Sequence, residues 1–240
     1  FALWRGRDFD RSTAELVAGN VQGAAAGDTT TFSWTDDALP AGLLRDLTAA
    51  VARVGASASY WKTFWYPLES PENAVERAID HLAGNVADDR IAGTEWWLGR
   101  MDTRRVPLDF HHDRDLALFE RTGRLAFPSW SSVLYLSTPV GGRLAVTEQR
   151  LVRAGTSLVL RPKEPRRFET ARATTNRFVR FDGRLFHGVL DANDVVPDRP
   201  VRGIEGNFQR ISVVVNWWRR RPEARRRWSE TRVYRRLADP

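Results

Sequence analysis

Two histidines and one aspartate have the residue types and the spacing of metal ligands. His111 and Asp113 lie two positions apart, and side chains two apart in an extended segment point to the same side. His187 stands much later, within the otherwise apolar segment 185–189. Two imidazoles and one carboxylate that leave further positions open are the ligand set of non-haem Fe(II) sites. The pattern therefore predicts a metal centre formed by His111, Asp113 and His187.

The adjacent His112 is the competing ligand in this segment. It would need a carboxylate two positions on, where the chain has Arg114, and Asp115 is three positions away, which suits a strand end poorly. We therefore expect His111 to be the ligand and His112 to lie beside the metal or to face the substrate. A polar loop that binds no metal is the alternative.

The segment 209–218 is rich in β-branched residues and predicts a strand. Alternation along this strand puts Arg210, Ser212 and Trp218 on one face. The order His-x-Asp, a distal His and then Arg-x-Ser resembles that of the Fe(II)/2-oxoglutarate-dependent dioxygenases. The resemblance extends from about Trp96 to the end of the strand, and it implies that the metal is Fe(II).

The same resemblance implies how the co-substrates bind. 2-Oxoglutarate would bind the metal through its keto oxygen and adjacent carboxylate, with O2 at the last position, and succinate and CO2 would be co-products. Arg210 and Ser212 would hold the remote carboxylate, and Tyr135 is either a further donor to it or a core residue. Because the carboxylate ligand Asp113 is present, the resemblance implies hydroxylation and not halogenation. Zinc in a hydrolytic site is the alternative metal, although such a site has no need of an arginine on a barrel strand.

Two helices are predicted ahead of the strands. The first opens around 36–40 and ends at Gly55, and the second begins with Ser70 as its cap. The buried face of the second helix is expected to consist of Val75, Ala78, Ile79, Leu82 and Val86. His81 lies off this stripe, so a surface position is expected for it. Residues 1–35 predict short strands and a flexible loop.

Short strands follow, separated by turn residues. We expect them at Glu95–Met101, Ser131–Leu136, Arg143–Val152, Ser157–Arg161, Arg177–Phe181, Arg184–Leu190 and Arg210–Trp218. Asp182-Gly183 predicts a two-residue hairpin, and Gly141-Gly142 resembles the Gly-Gly turn of the prolyl-hydroxylase-like branch.

Helices followed by many strands predict a mainly β protein with helices (α+β). We expect a double-stranded β-helix, or jelly roll, with N-terminal supporting helices. A single domain is predicted, with helical support in 1–94, the jelly-roll core in 95–218 and an Arg-rich C-terminal extension in 219–240.

Composition limits the compartment and the partners. The 240 residues contain no cysteine, no signal peptide and no apolar run of membrane-spanning length, so a reducing cytoplasm is expected and a membrane is not. The net charge is +7, and arginines crowd the segment 219–240. This segment is either a solvated tail or helix face, or an electrostatic funnel for an acidic substrate, a peptide or a nucleic acid.

The favoured function is hydroxylation of an aliphatic C–H bond in an amino acid, a peptide or a peptide-derived natural product. Candidates for the substrate side are Trp96, Trp97, Arg100, His112 and Trp218. Arg100 and the arginine clusters suggest an acidic substrate. A nucleic-acid demethylase of the AlkB type is the main alternative. Its strand usually carries a second arginine where this chain has Asn216, so nucleic acid is not the expected partner. A non-catalytic jelly-roll binding module is the third candidate.

Overall fold

The computed structural model describes residues 31–57, 62–86, 88–105, 109–197 and 199–238. Most of 1–35, including its expected flexible loop, lies outside the described residues. Within that segment, the described part contains strand β1, Phe32–Thr35. None of the helices in the described ranges is long and apolar enough to cross a membrane.

The first two helices are those that the sequence predicts. Helix α1 (Ala41–Val54) follows Pro40 and ends before Gly55, whose φ is 58°. Helix α2 (Ala74–Ala83) buries four residues of the expected face, and the fifth, Val86, is buried but lies after the end of the helix. His81 on this helix is exposed, as predicted.

The predicted cap of α2 is wrong, because Asn73 and not Ser70 caps this helix. The side-chain oxygen of Asn73 accepts hydrogen bonds from the backbone N–H groups of Val75 at 2.9 Å and Glu76 at 3.1 Å. These bonds satisfy two donors that the first turn leaves without helical partners. Ser70 lies before the helix with a positive φ of 57°.

A third helix, α3 (Leu116–Thr122), was not predicted, because its 7 residues are too few to show a helical period. Asp115 caps it by accepting a hydrogen bond from the Leu118 N–H at 3.0 Å. Gly123 ends it in the left-handed conformation. Helix α3 therefore begins three residues after the predicted ligand Asp113.

The strands form two antiparallel sheets. They are β2 (Phe64–Tyr66), β3 (Gly93–Asp102), β4 (Trp130–Tyr135), β5 (Leu144–Ala154), β6 (Ser157–Arg161), β7 (Phe168–Ala171), β8 (Phe178–Asp182), β9 (Leu185–Val189) and β10 (Gln209–Trp218). One sheet has the order β1-β8-β4-β10-β3-β2, and in the other β5 pairs with β6, β7 and β9. The chain passes from one sheet to the other several times, which confirms the predicted jelly roll with supporting helices. Strands β2 and β7 were not predicted.

The two faces of the larger sheet pack against different partners. Trp96 and Leu98 of β3 and Val213 of β10 belong to a core shared with α1 and α2. Trp97 of β3 and Val214 of β10 point the other way, into a core shared with the smaller sheet. This second core surrounds the predicted site.

The predicted hairpin at Asp182-Gly183 is wrong, because β8 and β9 lie in different sheets. Asp182 accepts a hydrogen bond from the Arg184 backbone N–H at 3.0 Å, which turns the chain. A side chain at Gly183 would meet the Pro128 carbonyl oxygen at 2.5 Å, so the crossing passes close to a neighbouring loop.

The Arg-rich C-terminal extension packs on the body of the protein and is not a solvated tail. The Trp65 N–H of β2 donates to the Arg226 carbonyl oxygen at 2.7 Å. Tyr234 and Leu237 are buried in the core shared with the helices. Arg225 pairs with the buried carboxylate of Glu95. The extension therefore contributes a side chain to the interior of the protein.

Candidate metal centre and adjoining cavities

The two predicted histidine ligands are held together by backbone hydrogen bonds. The His111 N–H donates to the His187 carbonyl at 2.8 Å, and the His187 N–H donates to the His111 carbonyl at 3.0 Å. This isolated antiparallel bridge joins a segment before α3 to β9. The two imidazole centroids are 4.5 Å apart as a result.

Asp113 completes the cluster. Its Oδ1 lies 3.6 Å from His111 Nε2, and its Oδ2 lies 3.5 Å from His187 Nε2. One donor atom from each residue lies within 4.8 Å of the others, and all three side chains are buried. The structure therefore brings the three predicted ligands together. Two nitrogens and one oxygen arranged this closely could bind one metal ion.

Second hydrogen bonds orient both imidazoles. Nδ1 of His111 lies 2.7 Å from the Asp109 carbonyl oxygen, and Nδ1 of His187 lies 2.9 Å from that of Leu185. A carbonyl only accepts, so Nδ1 carries the proton and Nε2 presents a lone pair toward Asp113. Such outer hydrogen bonds fix the tautomer that a metal ligand needs. The donor set therefore fits a divalent transition metal.

Protonation states at neutral pH also suit metal binding. Burial lowers the pKa of His111 to about 4, with a further contribution from the nearby His187. Burial, the largest single influence, raises the pKa of Asp113. The neighbouring His187 and His111 and the side chain of Asn216 outweigh burial and hold that pKa well below its usual range. A neutral imidazole and an ionised carboxylate are the forms that bind metals.

Two residues that the sequence did not single out support Asp113. Ser131 Oγ donates to its Oδ2 at 3.2 Å. The Asn216 side chain also hydrogen-bonds to the carboxylate and lowers its pKa. Ser131 and Asn216 are register partners on β4 and β10. Both residues lie on the strand face that points toward the smaller sheet, which we call the barrel face. A polar residue on that face was the signal in the sequence that could have identified them.

Arg210 is buried near the metal ligands, and its hydrogen-bond partners among the described residues are neutral groups. It donates to the Gly142 carbonyl at 3.2 Å, to Ser212 Oγ at 3.4 Å and to the Tyr135 hydroxyl at 3.4 Å. Its guanidinium carbon also lies 4.9 Å from the centroid of the Tyr135 ring. Arg210 is 2% exposed. In the described part of the chain, no carboxylate lies within 4.0 Å of this guanidinium.

The predicted Gly-Gly turn helps to position Arg210. Gly141 and Gly142 both have positive φ, at 62° and 72°. A Cβ at Gly142 would lie 2.6 Å from the Thr103 side chain and 3.3 Å from Arg210 Cδ. Glycine therefore lets the turn approach closely and offer its carbonyl to the guanidinium.

One cavity contains both the metal ligands and Arg210, and we call it the inner cavity. Its lining is Trp97, His111, Asp113, Ser131, Val133, Leu144, Phe181, His187, Gly188, Val189, Arg210 and Val214. The metal ligands and the guanidinium supply its charged groups, and most of the remaining wall is apolar. A Cβ at Gly188 would lie 2.4 Å from the Phe110 ring, so glycine lets this ring pack closely against β9.

A second cavity adjoins His111 and Asp113, and we call it the outer cavity. Besides these two ligands it is lined by Thr63, Glu95, Trp97, His112, Arg114, Leu116, Asn216 and Arg225. It contains two of the predicted substrate-side residues. Trp97 is buried, and His112 is half-buried with its ring 4.9 Å from that of Phe186. Burial lowers the pKa of His112 to about 3.

The other predicted substrate-side residues lie elsewhere. Arg100 and Trp96 are on the opposite face of β3 from Trp97, the face that packs toward the helices, because neighbouring side chains of a strand alternate. Trp218 is on the barrel face of β10 but lines a different groove with Asp115. The structure therefore does not bring Arg100, Trp96 or Trp218 into either cavity.

Comparisons with known proteins found similar solved structures. A prolyl-4-hydroxylase from Pseudomonas putida is 19% identical, with a TM-score of 0.48 over 87% of this chain and 99% of that chain. A 2OG-Fe(II) oxygenase family oxidoreductase from Burkholderia pseudomallei is 12% identical, with a TM-score of 0.45 over 90% and 96%. HygX from Streptomyces hygroscopicus, with nickel and 2-oxoglutarate bound, is 15% identical, with a TM-score of 0.44 over 91% and 89%.

The sequence matches no protein-family model and no curated protein. The similar solved structures include prolyl hydroxylases and a member of the 2OG-Fe(II) oxygenase family.

Proposed function

We propose that this chain is an Fe(II)- and 2-oxoglutarate-dependent oxygenase. One observation carries the proposal: the inner cavity joins a two-histidine, one-aspartate cluster to a buried guanidinium that contacts no carboxylate among the described residues. A buried charge is costly unless it is paired. A dianionic molecule that bound a metal at one end and Arg210 at the other would supply the missing partner.

His111, Asp113 and His187 would hold the Fe(II), which when bound supplies the activation of O2. Arg210 would form a charge-assisted pair with the remote carboxylate of 2-oxoglutarate. Ser212 and Tyr135 contact the guanidinium and would orient it. The apolar wall of the inner cavity would exclude water and so strengthen this pair.

The proposed reaction is hydroxylation of an aliphatic C–H bond in an amino acid, a peptide or a peptide-derived natural product, with succinate and CO2 as co-products. The outer cavity is the proposed place for that substrate, since His111 and Asp113 line it and Arg210 does not. A hydrolytic zinc site would leave the buried Arg210 without a role. The proposal therefore favours iron.

The test is incubation of the purified protein with Fe(II), 2-oxoglutarate, O2 and a panel of amino acids and peptides. We expect 2-oxoglutarate-dependent succinate release and, for an accepted compound, a mass gain of one oxygen atom. His187→Ala should abolish both, whereas His81→Ala, at an exposed histidine on α2, should change neither. If wild-type protein releases no succinate with any compound and binds no 2-oxoglutarate, the proposed function is wrong.

A further inference from the structure

We infer that the outer cavity binds a substrate through an anionic group, with Arg114 as the residue that selects it. The inference rests on the proposed function, because it assigns the outer cavity to the substrate. It goes further by naming a specificity-determining residue and the substrate chemistry that this residue would recognise.

The charges of the outer cavity are unequal. Apart from the metal ligands, its lining contains one carboxylate, Glu95, and two guanidiniums, those of Arg114 and Arg225. Glu95 is buried and is already paired with Arg225 from the C-terminal extension. That pair is close to neutral as a unit, so the charge of Arg114 remains.

Arg114 is half-buried and contacts an aromatic ring. Its guanidinium carbon lies 4.8 Å from the centroid of the Phe119 ring on α3. Glu120 acts on it electrostatically, but no carboxylate of the described residues lies within 4.0 Å of Arg114. A guanidinium stacked on a ring keeps its edge directed to one side, and such an edge suits bidentate binding of a carboxylate.

Three residues that line the same cavity have buried polar atoms without a partner among the described residues, and they point to a polar ligand independently of Arg114. Trp97 is 3% exposed and Asn216 is 1% exposed. The indole N–H of Trp97 and the side-chain oxygen of Asn216 have no hydrogen-bond partner in the described part of the protein. Nε2 of His112 is likewise buried without a partner. Buried polar atoms are normally satisfied, so a ligand with its own donors and acceptors fits this wall.

The orientation of Asn216 follows from its neighbour. Because its amide donates to the Asp113 carboxylate, its oxygen is the atom that remains for a ligand. The cavity thus offers a hydrogen-bond acceptor on β10, a donor from Trp97 on β3 and a cation from Arg114. These groups lie around the metal ligands, so an anionic substrate held by Arg114 would present a neighbouring C–H bond toward the metal centre.

The test compares N-acetylated amino acids with their carboxamides, which differ in the charge of one group. Binding is measured by calorimetry on Mn(II)- and 2-oxoglutarate-loaded protein, so that no turnover is needed. We expect the wild-type protein to bind at least one carboxylate about 10- to 100-fold more tightly than its carboxamide. Arg114→Gln should remove that preference, and Arg114→Lys should retain part of it.

Arg124→Gln is the matched control, because Arg124 is exposed just after α3 and does not line the outer cavity. It should leave the preference unchanged. Binding of Mn(II) and 2-oxoglutarate to Arg114→Gln should match that of the wild type, which shows that the variant is folded and that the proposed function stands. The inference is overturned if no carboxylate binds, if carboxamides bind as tightly, or if Arg114→Gln weakens both members of a pair equally.

Discussion

The two faces of β3 and β10 are built from alternate residues of the same strands, and one buried carboxylate packed near each face, Glu76 of α2 and Asp113, shows a contrast in electrostatic surroundings. On the helix-facing side, burial raises the pKa of Glu76 to about 7, although Trp96 Nε1 donates to it at 3.3 Å. On the barrel side, Asp113 is also buried, but the neighbouring imidazoles and the side chain of Asn216 hold its pKa well below the usual range. The first site favours a neutral acid, and the second favours an anion.

This contrast distinguishes a face that stabilises the fold from one arranged for ligands. Trp217, on the helix-facing side of β10, has its indole N–H satisfied by Ser132 Oγ at 2.9 Å. Trp97, on the barrel side of β3, has no partner for the same atom among the described residues. Arg210 is likewise buried without an acidic partner there. The unsatisfied indole N–H of Trp97 and the guanidinium of Arg210 therefore lie on the barrel side, where a bound molecule could satisfy them.

The largest expected effect comes from removing a barrel-side ligand. Asp113→Ala should weaken Fe(II) or Mn(II) binding by more than about 100-fold, because it removes the only anionic member of the proposed ligand set. Calorimetric titration under anaerobic conditions measures the affinity. Asp46→Ala removes a carboxylate whose side chain is 64% exposed and should have no effect. If Asp113→Ala and Asp46→Ala bound the metal ion with equal affinity, Asp113 would not be a ligand and the barrel side would not be the metal-binding face.

Truncation of a side chain on the helix-facing side should lower the stability of the protein and leave its metal affinity unchanged. Leu98→Ala removes a fully buried side chain from the core beneath the helices and should lower the free energy of unfolding by about 2–5 kcal/mol. Metal affinity of the folded fraction should stay within about twofold of wild type, because Leu98 points away from the ligands. Urea unfolding and metal titration on the same preparation provide both values. A loss of metal affinity without a loss of stability would contradict this assignment.

Replacement of Arg210 should affect co-substrate binding and spare the metal. Arg210→Met should weaken 2-oxoglutarate binding to the metal-loaded protein by about 10- to 100-fold, since a charge-assisted pair contributes about 1.5–3 kcal/mol. Metal affinity should not change, because Arg210 is not part of the ligand cluster. Arg210→Lys keeps the charge but not the bidentate geometry, so an intermediate affinity is expected. Calorimetry with 2-oxoglutarate measures all three proteins.

The smallest predicted effect is the pH dependence due to Glu76. Its pKa rises from 4.5 to about 7 in the folded protein, so the folded state holds more protons than the unfolded state between these values. The resulting stability is present below pH 4.5 and is lost as the pH rises through about 7. Glu76→Gln should remove a contribution on the order of 2 kcal/mol from the pH dependence. Parallel slopes of unfolding free energy against pH for both proteins would refute this.

Residues with local signals were predictable from the sequence. The period of α1, the alternation of β10 and the spacing of His111 and Asp113 each depend on neighbours in the chain. These patterns predicted the jelly roll and the proposed ligands that the structure brings together. His187 was linked to His111 and Asp113 by the order of the motifs along the chain, His-x-Asp, a distal His and then Arg-x-Ser, and not by spacing alone.

Features that depend on distant contacts were not predictable in this way. Asp182-Gly183 has the composition of a hairpin, but pairing of β9 with β5 carries the chain into the other sheet. The C-terminal arginines have the composition of a solvated segment, but Arg225 reaches a carboxylate on β3. Arg100 could be assigned to a face only once the register between β3 and β10 was known.

The most direct test of the account is whether one ligand spans the metal cluster and Arg210. Calorimetry would compare 2-oxoglutarate with 2-oxobutanoate, which lacks the remote carboxylate, on wild-type protein and Arg210→Met, with and without Mn(II). We predict that 2-oxoglutarate binds the wild type tightly only when Mn(II) is present, that 2-oxobutanoate binds about 10- to 100-fold more weakly, and that Arg210→Met abolishes this difference. Equal binding of the two oxoacids by metal-loaded wild-type protein would contradict the account.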